Sequence, residues 1–362
     1  MKKYFKYSGG KLSLPVFFPD ATRAVLRSLD SSDLEKTRTP GILVNTYHLW
    51  RELDKEVIKK FGGIRKFMDW KGAVICDSGG FQVMSMIKSG EGKGKITDEG
   101  IVIYPAKDKR IVLTPEKSIR FQMSLKTDLV VVLDDFTDPQ VGYKEAKESV
   151  ERTIKWAVRS KKEFENICQE EGLKGLKKPY LLGVVQGGKY QDLRKECTKR
   201  LVEIGFDGLG YGGWPIDEKG KFDLATPKTI VENSPKDYFF FGLGVGKPED
   251  IVACSKLGFN IFDCVLPTRD ARHSRLYVYN APSIDKIDIR KKNFYSFYKP
   301  DKEKYLEDPS PISTACDCLT CKRYSKAYLA HLFKIKEVTA LRLSTIHNLR
   351  FYSLLMEKIK KN

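Results

Sequence analysis

The chain has 362 residues, 41% of them hydrophobic and 31% charged, which excludes a disordered polypeptide and supplies a large core. Its 65 Lys and Arg outnumber 47 Asp and Glu, and the resulting charge of +18 points to a polyanionic partner such as nucleic acid. No run approaches the ~20 apolar residues of a membrane span and Met1-Lys2-Lys3-Tyr4 leads into no apolar segment, so the expectation is a cytoplasmic protein with no membrane attachment.

Taken in chain order, eight short apolar runs stand out, at residues 14–18, 41–45, 72–76, 129–133, 180–185, 206–210, 238–243 and 259–264. Amphipathic stretches lie between them, among them 144–166, 190–204 and 248–257, with apolar residues every three or four positions. Continuous apolar strands separated by helices predict a parallel sheet covered on both faces. Eight such units predict an α/β fold of the (β/α)8 TIM barrel type over residues 1–280. A Rossmann-like sheet is the weaker reading, because no Gly-rich dinucleotide turn follows the first strand. Residues 85–112 read as a hairpin insertion after the third strand, and residues 281–362 as a zinc-binding subdomain inserted near the C-terminus with a closing C-terminal helix.

Barrel enzymes build their sites where the strands end. Six consecutive strand ends here read Asp77-Ser78-Gly79-Gly80-Phe81-Gln82, Asp134-Asp135, Gln186-Gly187-Gly188, Gly212-Gly213-Trp214, Gly244-Val245-Gly246 and Asp263. At any single strand end Gly and Asp merely make turns; six in succession predict a site. Carboxylates serve as nucleophile and as general acid or base in displacement at a sugar's anomeric carbon. Glycines allow a flat ring close to the backbone, with Phe81 or Leu243 to cover its faces. A carboxylate accepts the paired N–H groups of a guanine edge, while Gln186 and the Gly213 N–H donate to the ring carbonyl.

Cys316, Cys318 and Cys321 place three thiols within six residues, the pattern of a zinc site rather than of a disulfide framework. His331 and His347 compete as fourth ligand. A helix over 322–332 carries His331 roughly 15 Å from Cys321, and an antiparallel helix from about 337 returns after about ten residues, close to His347. The expectation is one closed, structural zinc held by Cys316, Cys318, Cys321 and His347.

Together these motifs resemble the bacterial tRNA-guanine transglycosylase family. The resemblance runs through Asn45-Thr46-Tyr47-His48-Leu49, Asp77 to Gln82, residues 113–118, residues 185–188, Gly244 to Gly246, Asp263 to Arg269, Cys316 to Cys321 and His347-Asn348-Leu349. It implies a homodimeric barrel that binds a tRNA anticodon stem-loop and exchanges the wobble guanine for a 7-deazaguanine. By resemblance Asp263 is the nucleophile and Asp77 the proton acceptor. Ser78, Gly79, Gly80, Phe81, Asp134, Gln186 and Gly213 bind the base, with Phe81 stacked on it. Two segments contact tRNA: Gly244, Val245, Gly246, Lys247, Pro248, Glu249 and Asp250, and then Thr268, Arg269, Asp270, Ala271 and Arg272. The chain departs from the family pattern at Asp135 and Phe136, where Glu and Cys are usual, and at Trp214, where Leu is usual. These changes put a shorter acid and bulkier rings beside the base. Two other readings are a non-catalytic tRNA-binding subunit on the same fold and a carboxylate-dependent glycoside hydrolase. Retention of Asp77, Asp134 and Asp263 opposes the first, and the cysteine cluster opposes the second.

Overall fold

The structure is a computed structural model that describes residues 2–88, 93–106, 109–138, 140–214, 216 and 220–361. Its central sheet holds all eight strands read from the sequence: β1 (Val16–Pro19), β2 (Gly41–Asn45), β3 (Ala73–Asp77), β4 (Leu129–Val131), β5 (Tyr180–Val185), β6 (Gly208–Tyr211), β7 (Phe239–Gly242) and β8 (Ile261–Cys264). Every pairing is parallel, in the order β1-β8-β7-β6-β5-β4-β3-β2. A parallel bridge between Asp20 and Leu43 joins the two ends and closes the barrel.

The two-residue period of a strand sorts the side chains. Val16, Phe18, Leu43, Ile75, Leu129, Val131, Leu182, Val184, Phe239, Phe241 and Ile261 share one buried cluster, the barrel interior. The intervening Phe17, Val130, Leu181, Phe240 and Phe262 belong to a second cluster with the outer helices. A hairpin of Tyr4–Tyr7 and Gly10–Ser13 precedes β1. Its Phe5 lies 5.3 Å from the Tyr180 ring and 5.6 Å from that of Phe239, residues at the starts of β5 and β7. Phe5 thus fills the N-terminal mouth and leaves the other mouth for chemistry.

The insertion after β3 differs from a hairpin. Residues 85–88 continue the helix Gly80–Lys88, and an antiparallel three-stranded sheet follows (Lys93–Ile96, Ile101–Ala106, Lys109–Leu113). Residues 89–92 and 107–108 lie outside the described residues. Val83, Met84, Ile101, Ile103 and Leu113 cluster with Trp156 of the helix Tyr143–Glu170, whose Nε1 donates to the Asp98 carbonyl at 2.9 Å. That packing explains the period: Val83, Met84 and Ile87 follow helical spacing, which the nearby glycines obscure.

Strand Leu276–Tyr279 pairs antiparallel with Tyr295–Tyr298, so it ladders with the segment that follows residue 280. The last helix, Val338–Lys361, returns to the barrel wall, where Tyr352 meets Phe17 at 4.6 Å between rings and donates its hydroxyl to the Gly246 carbonyl at 2.6 Å. Among the described residues no helix is long and apolar enough to cross a membrane.

Candidate active site and metal centre

Extending the inward parity of each strand by one step identifies the groups at the open mouth. Asp20 follows Phe18, Asn45 follows Leu43, Asp77 follows Ile75, Gln186 follows Val184 and Asp263 follows Ile261. The alternation that buries the barrel's apolar residues therefore aims five polar side chains at one place.

Asp77 is held by its neighbours. Asn45 Nδ2 donates to Oδ2 at 2.7 Å, and the Thr46 and Gly79 N–H groups donate to Oδ1 at 3.2 and 2.9 Å. Gly79 takes φ +77°, and a Cβ there would lie 2.8 Å from the Tyr47 nitrogen, so this close turn requires glycine. Burial still outweighs these bonds and pushes Asp77 up to about 6. Asp263, 7% exposed, accepts the Gly244 N–H at 2.9 Å and is pushed up to about 7, chiefly by burial. Asp20, at the end of β1, reaches the same mouth, where its carboxyl and that of Asp263 act on each other. Sequence reading missed it because the first apolar run was ended at Phe18; the inward parity of Val16 and Phe18 was the available signal.

Across the mouth, Gln186 Nε2 donates to Asp134 Oδ2 at 2.6 Å, and its Oε1 accepts the Thr137 N–H at 3.2 Å. Gln186 therefore spends one N–H on Asp134 and has a single one left for a ligand. The buried Arg194 guanidinium binds the carbonyls of Val185, Gly212 and Gly188 at 2.7, 2.7 and 2.9 Å, tying the loops after β5 and β6 together. Gly213, at φ +92°, turns beside them. Asp135 is not beside this pocket as expected. Its carboxylate pairs with Arg152 on the outer helix; the strand ends at Val131, so the inward parity of Leu129 and Val131 does not carry through to the two acids.

Burial pushes Asp134 up to about 7. A carboxyl raised above its unfolded value near 3.8 keeps a proton that the unfolded chain has released, so its stabilisation is lost as pH rises from about 4 to about 7. Asp134→Asn is expected to exceed the parent in stability by roughly 1 to 3 kcal/mol at about pH 8 and by little at about pH 4.5. Urea unfolding at both pH values checks this; an equal difference at the two would contradict it.

Phe81 is 42% exposed, 5.0 Å from the Phe136 ring and 6.4 Å from that of Trp214, which is half exposed and nearly parallel to it at 29°. Half-buried Leu243 is positioned after β7. Of the two rim segments, Val245, Gly246, Pro248, Thr268, Asp270 and Ala271 are buried, with Asp270 accepting the Tyr277 hydroxyl at 2.6 Å. Those side chains shape the segments. Gly244, Lys247, Glu249, Asp250, Arg269 and Arg272 are what solvent or a ligand can reach. Ser78 is likewise buried, and its carbonyl accepts the Ser118 hydroxyl at 2.9 Å.

Cys316, Cys318, Cys321 and His347 bring their donor atoms within 4.8 Å of one another and could hold a metal ion. His347 Nδ1 lies 3.1 Å from Cys321 Sγ and 3.7 Å from Cys318 Sγ, while Nε2 meets the Tyr277 carbonyl at 2.7 Å. That carbonyl requires the proton on Nε2 and leaves the Nδ1 lone pair facing the thiols. The path to His347 differs from expectation. Helix 322–332 is broken into Leu319–Arg323 and Lys326–Lys334, because Ser325 caps the second piece through the Tyr328 N–H at 3.1 Å. His331 is exposed and outside the cluster.

With this geometry in hand, comparison with known proteins gives a consistent result. The family described as queuine tRNA-ribosyltransferase matches residues 4–362. Among curated relatives, a queuine tRNA-ribosyltransferase of Baumannia cicadellinicola subsp. Homalodisca coagulata is 37% identical over 356 residues, covering 98% of this chain and 89% of the relative. One of Shewanella sp. (strain W3-18-1) is 38% identical over 98% of this chain and 88% of its own length. One of Pasteurella multocida (strain Pm70) is 38% identical over 96% and 83%.

Proposed function

The chain belongs to the queuine tRNA-ribosyltransferase family, and on that premise we propose that it exchanges the wobble guanine of tRNAs with GUN anticodons for a 7-deazaguanine, either prequeuosine-1 base or queuine. The observation that carries this reading is the convergence of half-buried Asp77 and Asp134 and buried Asp263 on the open mouth of the barrel. The target nucleotide leaves its stack to reach them. An Asp263 oxygen forms a bond to ribose C1′ as the glycosidic C–N bond breaks, and the electron pair leaves on the guanine ring nitrogen, which takes up a proton from Asp77. The incoming base loses its ring proton to Asp77 and attacks C1′, and the C1′–O electron pair returns to Asp263. Two similar rings use one pocket in turn, so the kinetics are ping-pong.

Asp134, Gln186 and Gly213 hold the polar edge of the base, and Phe81 covers a face. Phe136 and Trp214, close to Phe81, stand where they select the substituent at position 7. Zinc is the ion proposed for the cysteine cluster, since Cys316, Cys318, Cys321 and His347 offer the three thiolates and one imidazole that a closed structural zinc site takes. The enzyme is proposed to act in the cytoplasm as a homodimer.

The test is incubation of the protein with radiolabelled guanine and unmodified tRNA. Incorporation at the anticodon supports the reading, and tRNA binding without incorporation favours a non-catalytic subunit. Competition among prequeuosine-1 base, queuine and the nitrile precursor then ranks the incoming bases. For the tRNA-contacting segments, Arg269→Ala is expected to weaken tRNA binding and to reduce the log–log salt slope by about one, the signature of one lost phosphate contact. Titrations at several salt concentrations read this directly; an unchanged slope would remove Arg269 from the interface.

A further inference from the structure

Asp20 is a second carboxyl beside the proposed nucleophile, half-buried overall with its Oδ1 fully buried. It lies two residues beyond Phe18, the register partner of Asp263 across the β1–β8 pair. Two carboxyls can share a hydrogen bond only if one of them carries the proton. The surroundings decide which one. Asp263 receives the Gly244 N–H, which stabilises negative charge, whereas Asp20 Oδ1 is buried with no hydrogen-bond partner. An unpartnered buried oxygen is far less costly on a neutral acid than on an anion.

We infer that Asp20 is a positioning residue for the nucleophile: it holds a proton and donates its carboxyl O–H to Asp263, so that the pair carries one negative charge and Asp263 is the half that carries it. The inference rests on the assignment of Asp263 as the group esterified to ribose. Burial and the neighbouring acids push Asp20 well above the usual carboxylate range, in keeping with its role as the acid half. The charges acting on the pair are each other's and that of Asp77 on β3; Cys264 on β8 feels both, and Arg269 in the following helix acts on Cys264.

The shared proton keeps two adjacent carboxylates from repelling each other and fixes which Asp263 oxygen is free to attack. While ribose is bound, the same O–H donates to the carbonyl oxygen of the ester. When the incoming base attacks C1′ and the C1′–O pair returns to Asp263, that hydrogen bond strengthens against the new negative charge. The Asp20 proton is neither consumed nor transferred in either half-reaction.

The experiment compares full-length wild type, Asp20→Asn, Asp20→Leu and Asp263→Ala for adduct formation and guanine exchange across pH. Asp20→Leu removes the donor and is expected to slow exchange roughly 10- to 100-fold with tRNA affinity retained. Asp20→Asn keeps an N–H donor that cannot be lost to base. It is expected to recover part of that loss, and the wild-type-to-Asn rate ratio is expected to fall as pH is raised and the wild type surrenders its proton. A merely structural residue would give a ratio independent of pH, and that result would overturn the inference while leaving the nucleophile assignment intact. Persistent exchange by Asp263→Ala would overturn the assignment beneath it. Should Asp20→Leu fail to fold, the near-isosteric Asn variant and its pH profile decide alone.

Discussion

Alanine at position 263 is expected to reduce guanine exchange by on the order of 10⁴-fold or more and to eliminate the covalent tRNA adduct. The size of the effect follows from the geometry. Of the other acids at the mouth, Asp77 is committed to Asn45, Thr46 and Gly79 and Asp134 to Gln186, while burial holds Asp20 well above the usual carboxylate range, as a neutral acid. None of them can replace the lost oxygen without breaking those bonds or ionising a disfavoured carboxyl. Transfer RNA affinity is expected to stay within about threefold, since removal of a carboxylate from a polyanion's site deletes repulsion rather than attraction. Stability is also expected to hold, because burial penalises the charge on Asp263, pushing its carboxyl up to about 7, and alanine removes that penalty. Filter binding, radiolabelled exchange and denaturing gels of the trapped adduct separate the three quantities. An adduct that survives in the variant, or a crosslinked peptide mapping elsewhere, would refute the nucleophile assignment.

The fold was legible because its strands are apolar on both faces and end in glycine or acid, a local signal that needs no knowledge of distant partners. The eight predicted runs all became strands, with ends shifted by one or two residues. The site was legible as far as it lay on those ends. What escaped depended on three-dimensional parity or on competing hydrogen bonds. Asp20 follows a proline in a sequence of aromatic residues, and only its inward parity marks it as a partner of Asp263. Asp135 looked equivalent to Asp134, but the strand ends at Val131 and the irregular chain beyond it turns Asp135 to Arg152 on the outer helix. Gln186 was expected to offer its amide to a base, and the structure spends part of it on Asp134. In the metal region the choice of His347 survived although the helix that led to it is broken at Ser325, since the displaced second helix still returns past the cysteines.

The cysteine cluster carries the second large effect. Cys318→Ala leaves three of four ligands, and a closed site couples its metal affinity to folding, so the variant is expected to lose bound zinc and about 3 to 5 kcal/mol of stability, or roughly 10 °C in Tm. Chelation of the wild type should approach the same state. The functional consequence is set by where His347 stands. The next residue, Asn348, donates to the carbonyls of Pro267 and Arg275 at 3.0 Å each and accepts the Tyr277 N–H at 3.0 Å, which pins the rim segment that follows Asp263. One turn further, Tyr352 holds the Gly246 carbonyl of the other rim segment. Both proposed tRNA-contacting segments thus hang on the helix that carries the proposed metal ligand His347. Zinc loss is therefore expected to weaken tRNA binding more than it slows adduct formation at saturating tRNA. Metal analysis, thermal melts and tRNA titrations on one preparation test the chain of dependence. A Cys318→Ala protein that is metal-free yet melts and binds tRNA like the parent would show that the cluster anchors nothing.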